Sequence, residues 1–311
     1  MIVLHFPDDQ RPSHWYHSVL ALGNFDGMHR GHQALIDGVR GRAAERGGTA
    51  VAMVFDPHPP QVLRPDKAAP LLMTLDQKLA AFERAGLGGV AIVRFTKELS
   101  RWEPEAFVET VLIGWLHVAE VWVGENFLFG RDRTGTFTLL RALGEDKGFR
   151  TEKIDSVFYK DFVVSSTRIR HLIAEGRVDE AAALFGHHYT IEGVVVRGDG
   201  RGRELGVPTA NLLTENALPP ARGIYATQAQ VGGVWHAAVT SVGVRPTIGD
   251  GKFTIETFLL DGPQDLYGAR IRLAFVKWLR EERKFGDLSA LKAQMAVDCT
   301  DARHVLARGA I

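Results

Sequence analysis

Short apolar runs alternate with amphipathic runs in the first half of the chain. Continuous apolar runs are typical of buried strands, and apolar residues three and four positions apart are typical of helices. The pattern predicts strands at Ser18–Leu22, Thr49–Phe55, Val90–Phe95 and Val118–Val123. It predicts helices at Gln33–Arg46, Thr74–Ala85 and Glu103–Leu116. This alternation predicts an α/β domain in which helices cover both faces of a parallel sheet.

The pattern changes after about Gly186, where a stretch of helical spacing over Ser166–Phe185 ends. Closely spaced strands follow, and Gly232–Gly233 between two of them is a strong hairpin signal. The predicted strands are Tyr189–Val196, Gly223–Val231, Val234–Val242, Phe253–Leu260 and Ala269–Trp278. They predict a small antiparallel β-barrel, which a terminal helix at Leu288–Leu306 follows. We therefore expect two domains, residues 1–186 and residues 187–311.

Composition limits the possible partners. The 311 residues suffice for two domains, and Lys+Arg and Asp+Glu number 37 each, which leaves no net charge to attract nucleic acid or a membrane surface. The single cysteine, Cys299, excludes an internal disulfide and fits a reducing compartment. The N-terminus lacks the basic segment of a signal peptide, and no apolar run approaches the ~20 residues of a membrane helix. We expect a cytoplasmic protein that binds neither nucleic acid nor membrane.

A glycine-rich turn follows the first predicted strand and opens a helix. Gly23, Gly27 and Gly31 let the backbone approach a phosphate chain, and the helix N-terminus offers free N–H groups. His29 and His32 lie one helical turn apart, so both can donate hydrogen bonds to phosphate oxygens during in-line attack. The turn predicts a nucleotide site. Taken alone, it also suits a metal site or an ordinary strand–turn–helix with two surface histidines.

A second candidate site begins at Gly198 and ends at Asn211. Arg201 and Arg203 within its glycine-rich part suit a flap over phosphates. Thr209 and Asn211 lie on one face of an extended strand, and their oxygens are hard ligands that suit Mg²⁺. In isolation, a solvated loop leading into a strand is the simpler interpretation, and the segment has no P-loop pattern.

The order of these motifs resembles the bacterial bifunctional riboflavin kinase/FMN adenylyltransferases, also called FAD synthetases. Residues 23–32 resemble the GxFDGxHxGH version of the HxGH signature of nucleotidyltransferases, and matching segments follow at 55–59, 100–112, 124–127 and 165–170. Residues 198–211 resemble the GRxLGxPTAN motif of riboflavin kinases, and matching segments follow at 223–226, 241–247, 256–261, 266–268 and 279–285. The resemblance covers the chain from about Ser18 to about Asp298. It implies a Rossmann-like nucleotidyltransferase domain followed by a riboflavin kinase barrel.

For the first domain, the resemblance implies that FMN attacks the α-phosphorus of ATP, giving FAD and pyrophosphate without a protein nucleophile. It implies that His29, His32 and Arg168 stabilise the triphosphate in the transition state, and that His58 and Asn126 contact nucleotide or flavin. The other implied ATP-binding residues are Gly23, Phe25, Asp26, Gly27, Ser165, Ser166 and Thr167. Taken alone, 165–170 is an ordinary helix cap. Leu128 is a departure, because many relatives carry a polar or basic side chain there.

For the second domain, the resemblance implies ATP-dependent phosphorylation of riboflavin to FMN. Thr209 and Asn211 would hold Mg²⁺ with ATP, and Glu256 would be the general base for the riboflavin 5′-hydroxyl. The implied ATP-binding residues also include Gly198, Gly202, Arg203 and Gly206. The implied flavin-side residues are Arg280, Lys284 and Phe285.

Two other functions suit part of the sequence. A transferase with another acceptor, such as a phosphopantetheine or nicotinamide nucleotide, would explain the HxGH signature but not the kinase-like half. A non-catalytic flavin sensor would explain both halves, but it is expected to lose His29, His32, Thr209, Asn211 or Glu256, and all five are present. The bifunctional enzyme is therefore the leading hypothesis.

Overall fold

The computed structural model describes residues 1–198, 208–244, 253–263 and 265–308. The chain divides into two compact units. The first, which we call the sheet unit, contains Met1–Pro70 and Leu75–Val164. The second, the barrel unit, contains Leu71–Thr74 and the chain from Ser165 onward. Within the described ranges, no helix has the length and apolar content needed to cross a membrane.

The sheet unit contains six parallel strands. In chain order they are β1 Ile2–Phe6, β2 Ser18–Leu22, β3 Ala50–Asp56, β4 Gly89–Arg94, β5 Val118–Gly124 and β6 Arg150–Ile154. Their spatial order is β1-β4-β3-β2-β5-β6, which confirms the predicted parallel sheet. The chain order reverses between β2 and β5, and open α/β sheets bind ligands in the crevice outside such a reversal.

Helices cover this sheet and fill its core. They are α1 Arg30–Glu45, α2 Pro59–Leu63, α3 Leu75–Arg84, α4 Pro104–Phe107 with its π-helical continuation Val108–Trp115, and α5 Phe137–Lys147. The unit also contains a hairpin of β7 Phe158–Tyr159 and β8 Phe162–Val163. The buried residues of α1 include Leu35, Ile36 and Val39. The three predicted helices are confirmed, with ends that differ by a few residues.

The edge strands β1 and β6 do not appear in the sequence pattern. β6 reads Arg-Thr-Glu-Lys-Ile, and none of its five residues is fully buried. β1 likewise mixes exposed and buried positions. A strand at the edge of a sheet meets solvent and can carry charged residues, whereas a central strand such as β2 is buried along its whole length. Apolar runs therefore identify the centre of the sheet and miss its edges.

The barrel unit begins with two helices, α6 Ser166–Ala174 and α7 Val178–Phe185. The single helical stretch predicted over these residues is wrong in this respect. Gly176 has a φ of +79°, a left-handed conformation that favours glycine and ends a helix. The chain therefore breaks at Gly176 and starts α7 two residues later.

Six antiparallel strands then close a barrel. They are β9 Tyr189–Val196, β10 Ala210–Thr214, β11 Gly223–Val231, β12 Val234–Val244, β13 Phe253–Leu259 and β14 Arg270–Arg280. Their closed order is β10-β13-β12-β11-β14-β9, which confirms the predicted barrel. Along β13, Ile255 and Thr257 are buried while Glu256 between them is half-buried. Because side chains alternate along a strand, Glu256 lies on the outer face of the barrel.

The predicted terminal helix is confirmed as α8, Leu288–Arg308. Asp287 caps it, since Asp287 Oδ1 accepts a backbone N–H of the first turn at 2.8 Å. Leu288, which the helical spacing places on the apolar face, is 65% exposed. The buried residues of α8 are Asp298 and Ala302, because the second half of the helix packs against the barrel.

Candidate active sites

The turn between β2 and α1 is tightly wound. Phe25, Gly27 and Met28 have positive φ angles of 48°, 95° and 46°. Phe25 is fully buried, and Asp26 and His29 are 2% and 7% exposed. Left-handed backbone at non-glycine residues costs on the order of 1–3 kcal/mol each and concentrates at functional sites. The geometry therefore fits a turn shaped for a ligand.

His29 is the N-cap of α1. Its Nδ1 accepts the backbone N–H of His32 at 3.3 Å, so the proton of the neutral imidazole lies on Nε2. The His29 ring stacks on the His32 ring, with centroids 3.7 Å apart and planes at 15°. A Cβ atom on Gly31 would lie 3.2 Å from two atoms of the His29 ring. Glycine at position 31 thus leaves room for the capping imidazole.

The surroundings of His32 favour its neutral form. Its Nδ1 is buried, and the described part of the chain offers it no hydrogen-bond partner. Burial lowers the pKa of His32 well below its usual range, and interaction with His29 and Lys78 lowers it further. Neutral His32 carries one N–H, so together the two stacked rings can donate two hydrogen bonds to an anionic ligand.

Lys78, which the motif analysis did not identify, lies beside this turn. Its side chain is 6% exposed, and its Nζ donates to the carbonyl of Asn24 at 2.8 Å. The apolar spacing of α3 predicts a buried face through Leu75, Leu79 and Phe82, but the buried residues are Gln77, Lys78 and Phe82. The sequence does hold one sign that Lys78 is buried. It lies four residues before the buried Phe82, and residues four apart lie on the same face of a helix.

The next two turns lie at the same edge of the sheet. His58 is half-buried at the start of α2, where its backbone N–H donates to Gln61 Oε1 at 3.1 Å. Asn126 is exposed in the turn after β5. Beside it, Glu125 Oε2 accepts hydrogen bonds from the backbone N–H and Oγ of Ser156 at 3.1 and 2.5 Å. Because β2, β3 and β5 are neighbouring parallel strands, the turns at their carboxyl ends share one edge.

The late phosphate motif belongs to the barrel unit. Ser165 Oγ accepts the backbone N–H of Arg168 at 3.3 Å and thereby caps α6. Ser166 and Thr167 occupy the first turn of α6. Ser165 therefore acts as a helix cap in this motif. The roles of Arg168 and its neighbours in binding ATP stay predictions.

Three polar residues of the second motif lie together on the barrel. Asn211 of β10 is directly paired with Glu256 of β13, and Thr209 Oγ1 donates to Glu256 Oε2 at 3.5 Å. A Cβ atom on Gly198 would lie only 2.2 Å from Asn211 Nδ2, so glycine there lets the backbone approach the amide. A hydroxyl, an amide oxygen and a carboxylate form a hard-oxygen donor set that fits Mg²⁺. The predicted residues Gly202, Arg203 and Gly206 lie outside the described residues.

Arg280 is tied to the terminal helix. Its Nη2 and Nε contact Asp298 Oδ2 and Oδ1 at 2.6 and 2.8 Å, and Asp298 is 4% exposed. The Arg280 and Arg283 guanidinium groups lie 5.9 and 5.1 Å from the centroid of the Phe285 ring. Lys284 is exposed. The segment after β14 is therefore anchored to α8 through Asp298, a contact that sequence analysis missed because a single helical acid carries no motif.

Comparisons with known proteins identify the family of each half of the chain. The FAD synthetase family matches residues 11–168, and the riboflavin kinase family matches residues 185–306. The bifunctional riboflavin kinase/FMN adenylyltransferase of Pseudomonas fluorescens is 36% identical, over 96% of each chain. This chain belongs to that bifunctional family. The enzyme of the same name from Escherichia coli K12 is also 36% identical, over 92% of each chain.

A solved structure has the fold described above along nearly its whole chain. A solved Streptococcus pneumoniae structure, described as a macrolide-efflux protein, matches this chain with a TM-score of 0.88 at 27% identity. The match covers 97% of this chain and 99% of that one. The resemblance stated from the sequence is confirmed, with the FAD synthetase region first and the riboflavin kinase region second. The prediction of a transferase enzyme is confirmed with it.

Proposed function

We propose that Thr209, Asn211 and Glu256 carry the riboflavin kinase reaction and that the His29–His32 turn carries adenylyl transfer to FMN. The observation that supports the proposal best is the pairing of Asn211 with Glu256, with Thr209 at hydrogen-bond distance. We place the domain boundary between residues 186 and 187. The FAD synthetase match ends at 168 and the riboflavin kinase match begins at 185, within two residues of this boundary. The compact barrel unit begins earlier, at Ser165, because α6 and α7 belong to it.

In the kinase reaction, Glu256 accepts the proton of the riboflavin 5′-hydroxyl. The hydroxyl oxygen then bonds to the γ-phosphorus of ATP while the bond to the β-phosphate oxygen breaks and ADP leaves. Mg²⁺, held by Thr209 and Asn211, would neutralise the charge on the phosphates. Gly198 keeps the Asn211 amide in place by letting the backbone lie against it. Arg280, Lys284 and Phe285 belong to the flavin side, where the ion pair to Asp298 positions Arg280.

In adenylyl transfer, a phosphate oxygen of FMN bonds to the α-phosphorus of ATP and pyrophosphate leaves. His29 donates from Nε2, because its Nδ1 is occupied by the helix cap. Neutral His32 donates its single N–H. These donors and the N-terminus of α1 stabilise charge that develops on the phosphate oxygens. Arg168, Ser165, His58 and Asn126 keep the roles that the family resemblance implies for them.

We also propose that these reactions take place in the cytoplasm, where ATP is available. The single cysteine fits a reducing compartment. Riboflavin, FMN, FAD and ATP are the proposed ligands, with Mg²⁺ as the metal cofactor.

One experiment tests the assignment. The purified protein is incubated with riboflavin, ATP and Mg²⁺, and the flavins are separated by chromatography over time. We expect FMN first and FAD second, and we expect neither when EDTA removes the metal. The variant H32A should form FMN but not FAD, whereas E256Q should form FAD only from added FMN. FMN without FAD in the wild-type protein would reject adenylyl transfer, and tight flavin binding without conversion would favour a sensor.

A further inference from the structure

Lys78 lies against the His29–His32 turn, yet the reaction outlined above does not use it. A lysine that is 6% exposed must find partners for its ammonium group within the protein, because burying an unpaired charge is costly. Lys78 Nζ donates to the carbonyl of Asn24, which precedes the left-handed Phe25. Helix α3 therefore contacts the phosphate-binding turn through a charged hydrogen bond.

The titratable groups around Lys78 come from three elements. Asp26 lies in the turn itself, Asp56 ends β3, and His32 lies in the first turn of α1. Burial lowers the pKa of Lys78, and the carboxylates of Asp26 and Asp56 oppose that effect by favouring the ammonium form. Two acids and the carbonyl of Asn24 thus stabilise a positive charge at the turn that carries the histidine pair.

Protonation of the stacked histidines is electrostatically unfavourable. The ring centroids of His29 and His32 are 3.7 Å apart, so two imidazolium ions would repel each other strongly. A protonated His32 would also bury an Nδ1–H that has no acceptor in the described part of the chain. The positive charge of Lys78 acts in the same direction, because its interaction with His32 also disfavours the protonated ring.

We propose that Lys78 is a positioning residue of the adenylyl-transfer site, which holds the turn through Asn24 and keeps His32 uncharged. In this role Lys78 does not touch the reacting atoms. It orients the two histidines and sets how many protons the pair carries. The proposal rests on the proposed function, because it gives Lys78 a part in FAD formation.

The test compares K78M, which removes the charge and the hydrogen bond, with K78R, which keeps a cation. FAD formation from FMN and ATP is measured from pH 5 to pH 9, and riboflavin phosphorylation by the same chains is the internal control. We expect K78M to lower kcat for FAD formation about 100-fold, because small displacements of positioned groups have effects of that order. We expect the acid limb of its pH profile to move to higher pH, and riboflavin phosphorylation to stay within about twofold.

K147M is the matched control. Lys147 carries the same side chain at the end of α5, where its Nζ pairs with Glu109 at 2.9 Å and the side chain is 35% exposed. We expect wild-type activity and an unmoved pH profile in K147M. We expect K78R to keep the acid limb in place even if its rate falls.

A second readout follows the protonation of His32 directly. The histidine side chains are labelled with ¹⁵N, the His32 signal is assigned with H32Q, and its titration is recorded by NMR. In K78M the midpoint should move to higher pH. Wild-type behaviour of K78M, or a lower rate with an unmoved profile and titration, would overturn the proposal.

If K78M loses its cooperative unfolding transition, K78R becomes the test. An acid limb at the wild-type pH in K78R supports the proposal, and an acid limb that moves to another pH overturns it. If the wild-type chain forms no FAD, the proposed function fails. The His32 titration then still tests whether Lys78 controls the proton of His32, so the two failures are distinguishable.

Discussion

His29 Nδ1 accepts the backbone N–H of His32 at 3.3 Å, so one side chain both caps α1 and presents an Nε2–H. The two roles need different parts of the ring. Capping requires an acceptor close to the backbone, whereas the proposed chemistry requires a donor further out. Substitution can therefore separate stability from activity.

We expect H29A to lower the free energy of unfolding by about 1 kcal/mol, because alanine cannot cap the helix. H29N should keep most of this stability, since asparagine is a good N-cap. Both variants should lower FAD formation by about 100-fold or more, because each lacks the Nε2 donor. Urea unfolding and an FMN-to-FAD assay measure the two effects. Normal FAD formation by H29N would contradict the donor role.

The glycines of α1 provide a matched pair of substitutions. A Cβ at Gly31 would crowd the His29 ring at 3.2 Å, whereas a Cβ at Gly41 would meet nothing within 4 Å. Alanine at position 41 should stabilise the helix by up to about 1 kcal/mol and leave FAD formation unchanged. We expect G31A to lower kcat for FAD formation, because it displaces the capping imidazole. Equal kinetics for both variants would show that the position of the His29 ring does not matter.

The lowered pKa of His32 makes folding stability depend on pH. Its pKa is lowered in the folded state, so below about pH 6.5 the unfolded chain binds a proton that the folded chain does not. The contribution of His32 to the free energy of unfolding is therefore fully present above about pH 6.5. It falls as the pH decreases below that value, by up to about 1.4 kcal/mol per pH unit. We expect H32Q to remove this contribution, and H304Q, which changes an exposed histidine of α8, to retain it. Urea unfolding at pH 7.5 and 5.5 measures both, and an unchanged pH dependence in H32Q would contradict the prediction.

Glu256 is proposed as the base of the kinase reaction. We expect E256Q to lower riboflavin phosphorylation by about 100-fold or more, which is the usual contribution of a general base. FAD formation from added FMN should be unaffected. E215Q, which makes the same change at an exposed position of the barrel unit, should behave as the wild type. Normal FMN production by E256Q would remove Glu256 from this role.

The Arg280–Asp298 ion pair should support both stability and riboflavin binding. D298N leaves a mostly buried guanidinium without its counter-charge, which we expect to cost about 3 kcal/mol of unfolding free energy. It should raise the KM for riboflavin more than the KM for ATP, because Arg280 lies on the proposed flavin side. D301N changes an exposed acid of α8 and should do neither. An unchanged riboflavin KM in D298N would separate the ion pair from the flavin.

The central strands of the sheet could be predicted because buried strands consist of apolar residues. β2 lies inside the sheet, with covered faces, and reads as a continuous apolar run. The residues of the proposed nucleotide site follow β2 in one glycine-rich segment, so the sequence alone indicates the His29–His32 turn. The edge strand β6 has no apolar run, because its residues are in contact with solvent. The ordered motifs supplied the family, which physical patterns alone left open.

The sequence by itself determined the two fold types, the two reactions and most of the proposed site residues, since local patterns and motif order carry that information. Only the tertiary structure decided which residues meet. The contact of Lys78 with Asn24 joins residues 54 positions apart, and the pairing of Thr209 and Asn211 with Glu256 spans two strands that are distant in the chain. Such contacts arise when packing brings separate elements together, and no local spacing encodes them. The protonation of His32 is decided in the same way, because burial and neighbouring charge exist only in the folded chain.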